Sequence, residues 1–401
     1  MNTVVSCFYL YLVNIYNQRT FIILSLIRAE RGDVMILYYC AFAYFHLYYP
    51  FIALWYLVSS YKVKLTLRVL LTLDICESDI YNKHTDSHHL ITNDMPSAVN
   101  CKVLLYADDT ALLVSGKSVL EIETSLASEL QSVRNWLLDN KLSLHLGKTE
   151  SILFGTKRKL QNQTNLNILC AGNPIKSKTQ VKYLGVELDQ SLSGEIIARK
   201  IIGKSNAKLK FLYRQARNLD IVTKKTLVSA LIQCHMDYAC AAWFSGLSKK
   251  YQHRLQTTQN KLIRFILQLP ARSHIGCAEF KNSGMLPVQK RVNQLQLNHV
   301  FNIVHGDAPN YLKSNFKYIH DQHDFNTRSS TRSFCVPMVK SQHFGKSTFN
   351  FTSIEAWNAL PSALHTLTDK GNFKKSVRTH YFQQIMVREN DPYIQSSHVN
   401  N

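Results

Sequence analysis

The sequence predicts an α+β fold, and three observations along the chain support that class. Two short apolar runs, Val103–Tyr106 and Ala111–Val114, flank an acidic pair, which is typical of a β-hairpin with its acids at the tip. Apolar residues then recur at helical spacing over 118–140. From Gly194 to about His305 the pattern is mostly helical, with interruptions at proline and glycine. Short strands followed by long helices indicate the α+β class.

The first part of the chain, residues 1–90, differs in composition from the rest. Residues 34–61 contain no Asp, Glu, Lys or Arg. A helix of that length would extend roughly 40 Å, which is enough to cross the core of a bilayer. We therefore predict an apolar N-terminal helical segment with a transmembrane helix at 34–61. A second interpretation stays open, in which 1–90 is flanking sequence read as coding and joined to a truncated gene.

Local patterns predict the elements that follow. Ser118 and Glu121 have the spacing of a capping box at the start of the helix. Residues Leu142 to Gly155 predict a strand, and Val181 to Leu188 predict a second, short hairpin. Asp94 lies just before Pro96 and is expected in a turn.

The charge balance favours a polyanionic partner. The formal net charge is +20 and the sequence pI is about 9.5, which favours nucleic acid first and an anionic membrane second. A group of basic residues follows the hairpins, and on a helix they would either track a phosphate backbone or form a solvated face. The group is Arg199, Lys200, Lys204, Lys208, Lys210, Arg214, Arg217, Lys224 and Lys225. The neighbouring aromatic residues Phe211, Tyr213, Trp243 and Phe244 are expected in the core.

The cysteines argue against a disulfide framework. The sequence has nine, an odd number, and no pair has C-x-x-C spacing. A reducing compartment fits this usage. We therefore expect the cytoplasm or nucleus, or a membrane if the N-terminal apolar segment inserts.

Tyr106-Ala107-Asp108-Asp109 resembles the Y-x-D-D motif of reverse transcriptases, and the stretch YADDTALLVSG resembles the non-LTR retrotransposon (LINE, jockey-like) branch. Further motifs follow in the order typical of that family. They are Ile91–Pro96, Trp136 with Asn140–Thr149, Tyr183–Val186, Tyr238 with Trp243, Gln259–Arg264, Leu286–Val288, Thr327–Ser329 and Trp357–Pro361. The resemblance covers roughly residues 91 to 385.

The resemblance implies a domain order. A partial polymerase palm would occupy 91–192, a helical thumb-like region 193–305, and a C-terminal region with a frayed tail 306–401. The implied partner is an RNA or DNA template–primer, and the implied cofactor is Mg²⁺ or Mn²⁺.

The resemblance also assigns roles to residues. Asp108 would be a metal ligand with Asp109 as its partner, and Lys148 would protonate the departing pyrophosphate. The implied binding residues are Tyr106, Tyr183, Leu184 and Gly185, the last three at the primer end. His145 stands where the family usually has Asn, which affects a hydrogen bond in the local turn.

Part of the family pattern is not found before the motif. A reverse transcriptase needs a further aspartate on a strand beside the Y-x-D-D hairpin, the fingers, and a Gln-Gly segment that positions the template. Leu73-Asp74-Ile75 resembles the aspartate strand faintly, but no Gln-Gly pair lies between Asp74 and Asp108 and the interval is short, so the sequence does not favour Asp74. Unpaired strand edges are then expected where the missing half would pair.

The resulting prediction is a truncated, catalytically inactive reverse-transcriptase-like protein that retains at most nucleic-acid binding. Two alternatives stay open. One is a membrane-anchored interaction protein that keeps the module. The other is an active polymerase whose first half is missing from the gene model or supplied in trans.

Overall fold

A computed structural model describes residues 26–28, 35–37, 67–77, 92–106, 109–161, 166–216, 218–306, 308, 310–321 and 332–389. The chain divides into two compact units. We call residues 50–197 with 337–351 the sheet unit, and residues 1–49, 198–336 and 352–401 the helical unit. The mixture of one main sheet with many helices agrees with the predicted α+β class.

The described strands, in chain order, are β1 (Leu26–Arg28), β2 (Met35–Leu37), β3 (Leu67–Glu77), β4 (Lys102–Tyr106), β5 (Asp109–Gly116), β6 (Leu142–Leu144), β7 (Glu150–Phe154), β8 (Leu169–Cys170), β9 (Asn173–Pro174), β10 (Lys176–Lys178), β11 (Gln180–Tyr183) and β12 (Val186–Asp189). The described helices are α1 (Val119–Asp139), α2 (Lys157–Leu160), α3 (Glu195–Gln215), α4 (Ile221–Val228), α5 (Cys234–Asp237), α6 (Cys240–Trp243), α7 (Lys249–Leu267), α8 (Cys277–Ser283), α9 (Val288–Val304), α10 (Asn310–Lys313), α11 (Phe349–Asn358), α12 (Ser362–His365) and α13 (Lys370–Glu389).

The sheet unit is built on β3. The main sheet has the order β10-β7-β3-β5-β4, and β6 also pairs with β3. β3 is antiparallel to β5, β6 and β7, and β10 is parallel to β7. Its residues Val69, Leu70 and Leu71 have no exposed surface. A strand with neighbours on both edges and apolar groups on both faces forms the centre of the core.

Helix α1 packs against this sheet through a buried apolar stripe that includes Ile122, Leu126 and Val133. The predicted N-cap is confirmed, because Ser118 Oγ accepts a hydrogen bond from Glu121 N at 3.2 Å. The Glu121 carboxylate accepts from Lys117 N at 2.7 Å, one residue before the position that a capping box would use.

Two local predictions in the sheet unit need correction. The single strand expected between Leu142 and Gly155 is two strands, β6 and β7, separated by a turn at 145–149. Asp94 lies in a 3₁₀ helix, Thr92–Ala98, and its Oδ1 accepts from Trp136 Nε1 at 3.2 Å. The hairpins β4–β5 and β11–β12 are confirmed.

The predicted transmembrane helix at 34–61 lies outside the described residues, except for Met35–Leu37. Those three residues form β2, which is antiparallel to β1, so the helix prediction is wrong for them. Within the described ranges, no helix combines the length and the apolar character needed to cross a bilayer. β3 also belongs to the predicted segment 1–90, yet its backbone is part of the main sheet.

The helical unit confirms the mostly helical pattern predicted up to His305. Helix α8 lies between Gly276 at its N-cap and Gly284 at its C-cap, and Gly284 has a φ of 70°. Pro287 is the N-cap of α9. The core includes Trp243, Leu297 and Phe301, and the Phe301 ring stacks on Phe373 at 4.5 Å.

Helices α4 and α5 are joined without a break by a π-helical turn, Ser229–Gln233. A π turn accommodates one extra residue within a helix and often lies at a functional site. We refer to Ser229–Gln233 as the π turn.

Candidate functional site at one end of the sheet

The β4–β5 hairpin presents an acidic residue at one end of the sheet. Tyr106 and Asp109 are Cα partners at its tip, and Ala107 and Asp108 lie outside the described residues. Asp109 is exposed, whereas the next two residues, Thr110 and Ala111, are buried. Burial, followed by the charge of Asp109, raises the pKa of the Tyr106 hydroxyl. The hairpin is therefore anchored in the core just behind an exposed carboxylate.

The position of Asp74 corrects the interpretation made from the sequence. The register of β3 against β5 makes Asp74 the Cα partner of Asp109. Partners in an antiparallel pair have Cα atoms about 4.5–5.5 Å apart. The expectation that no acidic strand pairs with the hairpin is therefore wrong, because β3 brings Asp74 directly opposite Asp109.

Lys148 lies in the turn between β6 and β7. β6 pairs with Ile75–Glu77 and β7 pairs with Arg68–Thr72, so this turn lies at the level of Leu73 and Asp74 along β3. The exposed Lys148 donates its backbone N–H to His145 O at 3.1 Å. Thr149 donates both its N–H and its hydroxyl to the same oxygen, each at 3.1 Å. The His145 carbonyl therefore closes the turn, and that group is present whichever side chain stands there.

The remaining predicted binding residues belong to a separate hairpin. Leu184 and Gly185 have φ values of 45° and 79°, as in the two-residue turns that fit the twist of a hairpin. The side chains of Tyr183 and Leu184 are buried, with 2% and 9% of their surface exposed. The structure thus brings Tyr106, Asp109 and Asp74 together by strand pairing, with the Lys148 turn at the same level of β3, whereas Tyr183–Gly185 lies in another sheet.

Asp74 and Asp109 are of a residue type, and in a position, that suits a metal ion. Among the residues that the structure describes, which do not include Asp108, no group of three or more His, Cys, Asp or Glu side chains is arranged to hold a metal ion. Carboxylate oxygens are nevertheless the ligands that Mg²⁺ prefers.

The helical unit carries a basic surface on α3. With about 100° of rotation per residue, five of its exposed residues fall within roughly 120° of one another. They are Lys200, Lys204, Lys210, Phe211 and Arg214, and we call them the basic face.

Three of the predictions for this region need correction. Phe211 and Tyr213, expected in the core, are 50% and 43% exposed, whereas Trp243 and Phe244 are buried as predicted. Lys224, counted among the basic residues, is 1% exposed, and its Nζ lies 5.5 Å from the centre of the Phe265 ring.

Comparison with known proteins is consistent with this geometry. Residues 73–188 match the reverse transcriptase (RNA-dependent DNA polymerase) family. The match begins one residue before Asp74 and includes the hairpin, the Lys148 turn and Tyr183–Gly185.

Three curated proteins are similar to part of the chain. The "Retrovirus-related Pol polyprotein from type-1 retrotransposable element R1" of Nasonia vitripennis is 27% identical over 163 residues, which is 39% of this chain and 48% of that protein. The "RNA-directed DNA polymerase from mobile element jockey" is 24% identical over 176 residues in Drosophila melanogaster and 22% over 197 residues in Drosophila funebris. Those matches cover 42% and 46% of this chain, and 18% and 21% of the jockey proteins.

The chain thus spans about half the length of the first relative and about a fifth of the other two. Over the matched part, the resemblance that the motifs indicated is confirmed: residues 73–188 are similar to reverse transcriptases, and part of the chain is similar to proteins of non-LTR retrotransposons.

Proposed function

We propose that this chain, of retrotransposon origin, binds RNA or DNA template–primer and a divalent cation but does not extend a primer by itself. The observation that carries the cation part of the proposal is the register of β3 against β5, in which Asp74 and Asp109 are partners. The exposed basic face of α3 supports the nucleic-acid part.

The proposed cation ligands are Asp74, Asp108 and Asp109. Like charges at directly opposite positions destabilise an antiparallel pair, and a bound divalent cation removes that penalty. Mg²⁺ or Mn²⁺ suits carboxylate oxygens, so the residue types fit the ion. When bound, such ions stabilise the attacking and leaving oxygens of nucleotidyl transfer.

The other site residues take different parts in this proposal. Lys148 is exposed on its turn, so its ammonium group is accessible to a phosphate that arrives from solvent. Tyr183 is buried, so we assign contact with a primer to the backbone of the Leu184–Gly185 turn and not to the Tyr183 ring. Tyr106 is the Cα partner of Asp109, and we assign it to positioning the hairpin tip.

The proposed lack of primer extension is supported by the sequence between β3 and the 3₁₀ helix. Residues 78–91 are the whole of that interval, and no glutamine anywhere in the sequence is followed by glycine. The Gln-Gly segment that the family uses to position the template is therefore not found. Without aligned reactants, carboxylates and a cation do not bring about an in-line attack.

A primer-extension assay tests the lack of activity. The purified full chain is incubated with a primer annealed to an RNA template, nucleotides, and Mg²⁺ or Mn²⁺, with the Asp109→Asn chain as control. We expect no extension from either protein. Extension by the wild type that is abolished in Asp109→Asn would favour the second candidate, an active polymerase, for which the pairing of Asp74 with Asp109 is the specific supporting observation.

A separate measurement tests the cation site without relying on activity. We expect Mg²⁺ to raise the melting temperature of the wild type, because it binds the folded pair of acids. The increase should disappear in Asp74→Asn and in Asp109→Asn. Glu355→Gln, which removes an exposed carboxylate in the helical unit, should respond as the wild type does. A wild type that is insensitive to Mg²⁺ would contradict the cation part of the proposal.

A further inference from the structure

The helical unit contains a cavity of about 1050 Å³ that the reverse-transcriptase match at 73–188 does not include. Its walls come from α3, α4, the π turn, α5, α9 and α13. The volume lies just above the range of roughly 300–1000 Å³ that is usual for sites that bind small organic molecules. The cavity is therefore large enough for a ligand of the size of a nucleotide.

The lining is strongly cationic. It contains four lysine or arginine side chains, Lys208, Lys225, Arg291 and Lys374. Among the described lining residues there is one acid, Asp237. Asp237 Oδ2 accepts hydrogen bonds from Arg291 Nη2 at 2.8 Å and from Arg291 Nε at 3.2 Å. One acid against four cations leaves an excess of positive charge, which attracts an anion.

The cations also act on one another. Burial, and then the charges of Lys370 and Arg291, lower the pKa of the Lys374 ammonium. Repulsion of this kind is relieved when an anion binds between the charges. The cavity is thus better suited to an anionic ligand than to water alone.

Lys208 is held in place at the wall. Its Nζ donates to Leu231 O at 2.8 Å and lies 2.6 Å from His235 Nε2. Burial, and then the charges of Lys208 and Lys204, lower the pKa of His235, so its ring is neutral and accepts from the ammonium. A fixed ammonium loses little conformational entropy when it binds an anion.

Two buried amide oxygens indicate a second property of a suitable ligand, which is that it carries hydrogen-bond donors. Gln233 Oε1 and Asn298 Oδ1 are buried in the lining and have no hydrogen-bond partner among the described residues. The orientation of the Gln233 amide is set by its nitrogen, which donates to Asp237 Oδ1 at 2.7 Å. Buried acceptors without donors are costly, so a ligand with N–H or O–H groups would stabilise them.

We infer that this cavity binds a nucleotide unit, with its phosphate near Lys208, Arg291 and Lys374 and its N–H or O–H donors near Gln233 and Asn298. A nucleotide carries both the anion and the donors that the lining calls for. The site goes beyond the proposed function and does not depend on the carboxylates of the sheet unit. The nucleotide comes either from a free mononucleotide or from a single strand.

Calorimetric titration of the full chain tests the inference and separates the two sources. The probes are 5′-AMP, inorganic phosphate, adenosine and a short single-stranded oligoribonucleotide. We expect 5′-AMP or the oligoribonucleotide to bind, inorganic phosphate to bind more weakly, and adenosine to give no binding. If 5′-AMP does not bind, and the oligoribonucleotide binds with an affinity that the variants described below reduce, the bound nucleotide belongs to a strand.

The test variant is Lys208→Met/Lys374→Met, and the matched control is Lys249→Met, which removes an exposed lysine of α7. We expect the affinity of the double variant for the binding probe to fall about tenfold or more, the size of one missing charged hydrogen bond. Lys249→Met should bind as the wild type does. The inference is overturned if the double variant binds 5′-AMP and the oligoribonucleotide with wild-type affinity, or if Lys249→Met loses as much affinity as the double variant. It is also overturned if inorganic phosphate binds as tightly as the nucleotide.

A second variant covers the case in which the double substitution does not fold. Asn298→Asp keeps the shape of the side chain and adds a negative charge in the cavity. It should weaken binding of the same probe, and normal binding would contradict the inference. These titrations are done without Mg²⁺ or Mn²⁺, and the cation site is tested separately by the melting temperature, so a failure here and a failure of the proposed cation site are distinguishable.

Discussion

At the scale of single residues, His299 connects burial to the effect of pH. It lies on α9 with 5% of its surface exposed. Burial, followed by the charges of Lys374 and Lys370, lowers its pKa to about 4. An unfolded histidine has a pKa of about 6.5, so between these two values the unfolded chain binds more protons. The contribution of His299 to stability is therefore complete above pH 6.5 and is lost as the pH falls towards 4.

We predict that lowering the pH from 7 to 5 removes about 2 kcal/mol of stability through His299. Urea unfolding followed by tryptophan fluorescence at both pH values measures the loss. His299→Gln should show a smaller loss than the wild type. His253→Gln, which changes an exposed histidine of α7, should keep the wild-type pH dependence. Equal pH dependence in all three proteins would contradict the assignment to His299.

Lys224 and Phe211 show what the sequence does not reveal about single residues. A count of charges places Lys224 in a basic region, but the side chain is buried and its Nζ lies near the ring of Phe265, which is far along the chain. Phe211 is apolar, which predicts a core position, but its place on α3 coincides with Lys200 and Lys204 on the exposed face. Residue type alone predicts average burial, whereas the face of a helix decides the individual case.

At the scale of elements, sequence patterns predict those whose signals are local. The β4–β5 hairpin, the N-cap at Ser118 and the glycine and proline boundaries of α8 and α9 each depend on residues close in sequence. β3 is not predicted, because a strand buried on both faces is a nearly continuous apolar run, which periodicity does not distinguish from a buried helix. Its pairing with β5 involves residues far apart in sequence, so the sequence alone does not favour Asp74.

The C-terminal motif Trp357–Pro361 has a structural part that the resemblance does not imply. Asn358 donates from Nδ2 to Phe334 O at 2.8 Å and accepts from Phe334 N at 2.9 Å. Trp357 Nε1 donates to Arg332 O at 3.1 Å. These bonds hold the chain around Phe334 against α11. The related motif Thr327–Ser329 lies outside the described residues.

Gly203 gives a prediction for α3 as an element. It lies in the interior of the helix, and a Cβ added there would meet no atom within 4 Å. Glycine in a helix interior costs roughly 0.5–1 kcal/mol relative to alanine. We therefore expect Gly203→Ala to stabilise the protein by about that amount, measured by urea unfolding. Gly185→Ala is the opposite case, because a φ of 79° strains alanine, and it should destabilise the β11–β12 hairpin. A stabilising Gly185→Ala would contradict this account.

At the scale of the whole molecule, the net charge of +20 predicts that the proposed binding to nucleic acid depends on salt. We predict that affinity for a single-stranded oligonucleotide falls as salt rises. Lys200→Met/Lys204→Met, on the basic face, should reduce the slope of log affinity against log salt by about 1 for each phosphate that the variant no longer neutralises. Fluorescence anisotropy over a series of salt concentrations measures the slope.

The control for that prediction uses a lysine that adds the same charge to the total but lies in the interior. Lys224 is 1% exposed, so Lys224→Met should leave the slope unchanged if the basic face is the binding surface. If Lys224→Met reduces the slope by half as much as Lys200→Met/Lys204→Met, which removes twice the charge, then total charge, and not the position of the lysines, governs binding.

The π turn makes the helical unit sensitive to chain length. Its extra residue sets the rotation of α5, which carries His235 and Asp237, relative to α4. Deletion of one residue between Ser229 and Gln233 would restore an ordinary helix and rotate everything beyond it by about 100°. Substitutions along the π turn would leave that rotation in place. Related chains can therefore vary in the side chains of this segment other than Gln233 without changing that rotation, but a single-residue gap there would mark a lineage without the cavity.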